Sequence, residues 1–377
     1  MKFRRIYAVL RKELLHITRD KGSLGLALLL PFVMLLLFGY ALSLDVDHIP
    51  AIVYDHSRSP ESRALIREFS GSQYFDIIGY AENDKTVDFN IDRGKALMGI
   101  VIPERFSQDL LSGREATVQI LLDGSDSNTA SIALGYSDAL VRTYAASLRA
   151  KAADKMGAPQ MQTPVDARIR VMYNEDVQSK NFIVPGLIAV IIMIISALLT
   201  SLTIAREWEQ GTMEQLLSTP VRPIELVFGK LAAYFVVGLF DMIACLVIAV
   251  TVFDVPMKGN VVLLFVTSCI FLFGALSWGI FISASVRNQL MAYQMGTLTS
   301  FLPAFMLSGF IYSIDNMPIV IQLLTRIFPA RYFVTITKGI FLKGVGVQAL
   351  WVEILLLIFY AVFVFVVAAR KMRQKVA

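Results

Sequence analysis

Three histidines (His16, His48 and His56) and two cysteines (Cys245 and Cys269) are the only imidazoles and thiols in this chain. No histidine falls in an HExxH pattern, which would set two imidazoles on one helix face over a zinc ion. None lies in an apolar run, so an intramembrane Ser–His dyad lacks its base. Each cysteine sits alone among apolar residues, where a thiol packs as a small hydrophobe. A phosphate-cradling loop needs GxxxxGK followed by Ser or Thr; here Gly94-Lys95 precedes Ala96, and Gly229-Lys230 precedes Leu231. The reading is therefore of no catalytic residue, no metal and no cofactor bound by this chain. Energy for any ATP-driven work has to come from a partner.

Two other features carry chemistry. Asp241 is the one acidic residue deep in a long apolar run. A carboxylate there is costly and marks a substrate or proton path by default; the competing reading is a neutral acid hydrogen-bonded to a neighbouring helix. Gln294, Thr297, Thr299 and Ser300 share a second run and either line a polar path with Asp241 or pack helices closely. The other feature is a charged island, Ala205 to Lys230, between two apolar runs. Trp208, Met213, Leu216 and Leu217 recur at near-helical spacing, and Glu207, Glu209 and Glu214 take other faces. Gly211 weakens this helix, and Pro220 with Pro223 ends and restarts it. An amphipathic helix with its acids pointing away is a handle for another protein to push on.

The elements that hold these residues are membrane spans. Hydrophobic residues make up 56% of the chain and charged ones 17%, and the mean hydropathy is +0.61, beyond a soluble domain of this length. Runs of about 20 apolar residues or more place six spans at 24–44, 182–205, 231–253, 261–286, 290–314 and 349–369. Residues 315–346 are half apolar and broken by Pro318 and Pro329, the pattern of short helices re-entering one leaflet. Lys and Arg number 15 in the segments read as inner and 5 in the short outer loops, which puts the N-terminus, the 206–230 island and the 370–377 tail in the cytoplasm. Residues 1–23 form an amphipathic interface helix, with Phe3, Ile6, Tyr7, Leu10, Leu14 and Ile17 on its apolar face. The first run is too long for a cleaved signal peptide.

Residues 45–181 have a net charge of −5 and the remainder +10, so the two parts face different surroundings. Because the basic residues flank spans, nucleic acid does not explain them. Strands are expected at 50–54, 74–80, 96–102, 118–123 and 169–173. Helices are expected at 60–69, 103–111 (begun by Pro103) and 128–156, with 87–93 ambiguous and 157–164 a linker. Alternating strands and helices imply an α/β domain with a largely parallel sheet. Asp123-Gly124-Ser125-Asp126 lacks the later ligands of a calcium loop and reads as a strand-to-helix turn. The fold class is thus an α-helical polytopic membrane protein with an extracytoplasmic α/β domain between its first two spans.

The run Arg206-Glu207-Trp208-Glu209-Gln210-Gly211-Thr212-Met213-Glu214-Gln215-Leu216-Leu217-Ser218-Thr219-Pro220 resembles the signature of ABC-2 type transporter permeases, most of all the multidrug-efflux permeases of Gram-negative bacteria. Met306 to Phe310 and Phe328 to Tyr332 also resemble family stretches. The resemblance implies that Arg206 and Glu207 gate the inner mouth. It also implies that Gly211, Thr212, Glu214 and Leu217 meet an ABC ATPase subunit, which brings the ATP and magnesium, with Glu209 beside them. Ile6, Leu10, Leu14 and Ile17 would complete the docking groove. It further implies a dimer, as two copies or with a sister permease, in the bacterial inner membrane, exporting drugs or other hydrophobic solutes. A periplasmic adaptor and an outer-membrane channel are plausible further partners. Two rivals stay open: a proton-coupled transporter using Asp241, and a non-transporting scaffold through which an ATPase moves the outer domain.

Overall fold

A computed structural model of the chain describes residues 3–41, 48–125, 127–155 and 178–376. It divides into one unit of residues 1–43 and 171–377 and a second of residues 44–170. The chain begins with helices α1 (Phe3–Arg19) and α2 (Lys21–Ala41, with Pro31 inside). The second unit follows as β1 (Ile49–Asp55), α3 (Pro60–Ser70), β2 (Phe75–Tyr80), α4 (Asp84–Asp92), β3 (Met98–Ile102), α5 (Phe106–Leu111), β4 (Gln119–Leu122) and α6 (Ser127–Lys155).

Its sheet has the order β2-β1-β3-β4, parallel across β2-β1-β3 and antiparallel at β4, as strand-helix alternation requires. Ile49, Ala51 and Val53 alternate onto one face and join Leu65, Phe69, Met98, Ile100 and Phe106 in the main core. Ile52 takes the other face, under Val87 of α4. The ambiguous stretch at 87–93 falls in α4 up to Asp92, with Arg93 its C-cap, because Asn83 Oδ1 accepts the Thr86 amide and caps the helix. Pro103 does not begin α5 as expected: the Phe106 amide bonds Pro103 O, so a turn intervenes and the helix starts at Phe106. Asp123 Oδ1 accepts the Ser125 amide in a local turn. Asp126, the expected linker at 157–164 and the strand at 169–173 lie outside the described residues.

In the first unit the chain continues as α7 (Ser179–Ser201), α8 (Thr203–Glu209), α9 (Thr212–Leu217), α10 (Pro223–Thr251), α11 (Val261–Ser285), α12 (Gln289–Met306), α13 (Ile319–Thr325), α14 (Pro329–Lys338) and α15 (Val347–Val376). Among the described residues, four helical segments are long and apolar enough to cross a membrane: 179–209, 223–251, 261–285 and 347–372. α13 and the helix from Pro329 to Lys343 meet at 86°, a broken span or a re-entrant loop, where Pro318 and Pro329 interrupt the chain. The span expected over 290–314 is shorter than that: α12 stops at Met306, and the chain turns through Gly309 at φ +78°. α7 is the hub of the unit, buried along most of its length and packed against α2, α10, α11, α12 and α14.

Candidate functional site

The charged island folds into an elbow. After Ser201 the helix breaks at Leu202, and the new amides of Ile204 and Ala205 both donate to Ser283 Oγ of α11, at 2.9 and 3.0 Å. α8 therefore starts with a borrowed cap. It ends at Gly211, whose φ of +71° is left-handed and is open to glycine without strain. α9 leaves from there and stops before Pro220 and Pro223, as the sequence predicts.

The acidic residues do not all point away from the bundle. Glu207 is 6% exposed and turned inward, which corrects the expectation of an outward handle. Its Oε1 lies 2.5 Å from Lys12 Nζ of α1 and 3.0 Å from Lys230 Nζ of α10. Lys230, 1% exposed, also reaches Glu13 Oε1 at 2.8 Å, and Lys12 reaches the same oxygen at 3.1 Å. Two carboxylates and two ammonium groups thus join α1, α8 and α10. Burial disfavours the charge on Glu13, but Lys230 and Lys12 outweigh it and hold the carboxyl below its usual range. Burial likewise opposes the charge on Lys12, and Glu13 with Glu207 raises its ammonium above the usual value.

The other island residues connect elsewhere. Glu209 Oε2 accepts the Gln289 amide at the start of α12, at 2.8 Å. Arg206 donates to Gln289 Oε1 at 3.4 Å and lies 3.9 Å from Asp20. Arg287 stacks over Trp208, 4.9 Å from the ring centroid. Thr212 Oγ1 contacts Glu207 O at 3.4 Å. Glu214 is exposed on α9, Met213 is fully buried, and the side chain of Leu217 lies outside the described residues.

α1 sits in the groove at a different rotation from the one expected. Ile17 is buried and Ile6, Leu10 and Leu14 are half-buried, but Phe3 and Tyr7 are exposed. The buried line runs through Val9, Glu13 and Ile17. Two contacts set this rotation: Glu13 is drawn to Lys230, and Val9 fills the space a side chain at Gly229 would need, 2.7 Å from that Cβ position. Glu13, Lys230, Ser283 and Gln289 were not among the expected site residues. The available signal was an acid on the apolar stripe of α1 and a lysine just inside the apolar run of α10.

The residues of the expected polar path lie on two helices, Asp241 on α10 and Gln294, Thr297 and Ser300 on α12. Asp241 is 6% exposed on α10, and among the described residues its Oδ2 has no hydrogen-bond partner. Gln294 is exposed on α12, Thr297 donates to Tyr293 O, and Ser300 is buried with no partner for its hydroxyl among the described residues. α10 and α12 each pack on α7 and α11. Beside the elbow, residues of α1, α2, α7, α8, α9, α10 and α12 line a partly open pocket of about 700 Å³.

The profile of a family described as ABC-2 family transporter protein matches residues 21–370. The chain is 36% identical over 363 residues to a probable multidrug ABC transporter permease, YbhS, of Escherichia coli K12, covering 96% of this chain and 95% of that one. It is 31% identical over 349 residues to the probable multidrug ABC transporter permease YbhR of the same strain, covering 93% of each. It is 26% identical over 378 residues to the inner membrane transport permease YhhJ, covering 99% and 98%. This multi-pass membrane chain, with its elbow tied to four neighbouring elements, belongs to the ABC-2 family of transporter permeases.

Proposed function

We propose that this chain is the permease of an ATP-driven exporter of drugs or other hydrophobic solutes, and that the α8–α9 elbow is where a separate ATPase subunit drives it. The observation that carries this reading is the set of side-chain ties from α8: Glu207 to α1 and α10, Glu209 to the start of α12, and Ser283 of α11 to its first turn. Displacing α9 through Gly211 shifts α8, and α8 cannot shift without moving or breaking contacts to all four neighbours. The permease names of YbhS and YbhR support drugs as the solutes.

In this reading α2, α7–α8, α10, α11, α12 and α15 are six spans of a bacterial inner-membrane protein with cytoplasmic termini. The α/β unit is periplasmic, where an adaptor and an outer-membrane channel would meet it. At about 1.5 Å per residue the 18 residues of α12 reach roughly 27 Å, close to a hydrocarbon core of about 30 Å. The α13–α14 bend lies in the outer leaflet, and a second permease, identical or a sister, completes the path. ATP and magnesium belong to the partner. Exposed Glu214 is a docking contact, whereas inward Glu207 transmits. Capture of the ATPase by the chain in mild detergent separates the two: Glu214→Lys should weaken capture, and Glu207→Gln should keep capture but lose export. Full capture and export by Glu214→Lys would sink the docking role.

A second reading rests on Asp241, whose buried Oδ2 has no hydrogen-bond partner among the described residues and whose place in an apolar helix is that of a substrate or proton path. It requires transport without an ATPase that collapses in Asp241→Asn.

A further inference from the structure

The pocket beside the elbow has two unlike walls. Leu30 of α2 and Ile195, Leu198 and Leu199 of α7 make one side apolar. The opposite side is ionic, and its charges differ in reach. The side chains of Glu13, Glu207 and Lys230 are 4%, 8% and 1% exposed and are spent on one another. Those of Lys12, Arg206 and Asp20 are 49%, 29% and 38% exposed, and His16, also exposed, lines the same wall. The groups a ligand can touch are therefore two cations and an imidazole against one acid. Arg206 has donors to spare. Of its five N–H groups, among the described residues only Nε is in a hydrogen bond, a long one of 3.4 Å to Gln289 Oε1. Its Nη1 stands 3.9 Å from Asp20, outside hydrogen-bond reach.

We propose that this pocket binds an acidic amphiphile, with its phosphate or carboxylate head on Arg206 and Lys12 and its apolar tail on the α2–α7 wall. The guanidinium fork matches the paired oxygens of either head, in a charge-assisted contact roughly twice as strong as a neutral one. Lys12 adds a point charge, and His16 can donate a ring N–H. An ammonium head would instead meet the exposed cations, with Asp20 alone to hold it. The volume of about 700 Å³ suits a drug-sized molecule. The acid has two sources, an anionic phospholipid of the adjoining leaflet or a lipophilic acid from solution. That it is cargo rests on the exporter reading above; that the pocket holds it does not.

The test titrates the full chain in phosphatidylcholine nanodiscs with tritiated dodecanoate, against dodecylamine and against nanodiscs without protein. Saturable binding of dodecanoate above both controls is expected. Arg206→Gln should weaken it about tenfold or more, the effect of one lost charge-assisted contact, and Arg206→Lys should keep part of it. Asp20→Asn should tighten it, since the one exposed acid is gone; a merely structural role for these residues would weaken both. Leu199→Trp fills the apolar wall without touching a charge and should also weaken binding, which keeps the test decisive if the Arg206 variants do not fold. Added phosphatidylglycerol displaces the probe if the leaflet is the source and leaves it bound if soluble acids are. Dodecylamine held as well as dodecanoate, or dodecanoate held equally by Arg206→Gln and Leu199→Trp, overturns the proposal. No ATPase enters this assay, so a failure of coupled export leaves its outcome unaffected.

Discussion

Lys230 and Lys12 contact the same two carboxylates, yet removing them should have very different consequences. Lys230 is 1% exposed, while the Lys12 side chain is 49% exposed. Deleting one partner of a buried ion pair costs about 3–5 kcal/mol, because the charge left behind stays desolvated. In Lys230→Met, Lys12 remains 3.1 Å from Glu13 and 2.5 Å from Glu207, so the loss belongs at the lower end, about 3 kcal/mol. At roughly 2–4 °C per kcal/mol for a domain of this size class, the apparent melting temperature falls by about 6–12 °C. In Lys12→Met, Lys230 still bridges both acids and the lost contact is half in water, so the cost is about 1 kcal/mol or less. Adding Glu13→Leu to Lys230→Met should recover much of the loss, since an apolar pair replaces a buried charge pair at little cost. Thermal unfolding of wild type, the single variants Lys230→Met, Lys12→Met and Glu13→Leu, and the double variant in one detergent, followed by intrinsic fluorescence, reads all of this. Equal losses from the two lysines, or a double variant no better than the sum of its singles, would show that burial does not govern the cluster.

Ser283→Ala should leave the Ile204 and Ala205 amides without their acceptor, at about 1–3 kcal/mol, and raise hydrogen exchange at those two amides more than elsewhere in α8. Gly211→Ala meets no atom within 4 Å, so its cost is conformational only, about 1–2 kcal/mol for a left-handed residue, and a matching fall in melting temperature without loss of expression checks it. The acid side of the stability profile should carry a Glu13 contribution. Its folded carboxyl is held below the usual range, so the stabilisation is complete above the unfolded value of about 4.3 and is lost as the pH falls through the lower folded value; the melting difference between wild type and Glu13→Gln should stay constant from neutral pH down to about 4.3 and shrink below it. Deleting residues 50–175 should remove export yet leave ATPase capture intact, because the α/β unit carries its own core; loss of capture would refute that division of labour.

What could be read from the chain alone follows from how local each signal is. Gly211, Pro220 and Pro223 act on their own backbone, and the breaks around α9 fall where their chemistry puts them. Strand and helix periods in the second unit likewise depend on neighbouring residues, so its element order and mostly parallel sheet were legible. The start of α4 depended on one cap, Asn83, and the start of α5 on one turn at Pro103. The orientation of Glu207 was not legible, because what turns it inward is far away in sequence: Lys12, 195 positions earlier, and Lys230 across the elbow. Treating α1 as a free amphipathic helix chose the face with the most apolar side chains. Packing against α10 chose instead the face holding Val9 and Glu13, one fitting against Gly229 and the other paired with Lys230. The same contacts change what the acidic signature residues can do. Glu214 remains an outward group that another protein can touch, Glu209 is committed to the turn before α12, and Glu207 is an internal tie. In the proposed coupling, a push delivered at α9 reaches the bundle through a carboxylate that the ATPase need not contact.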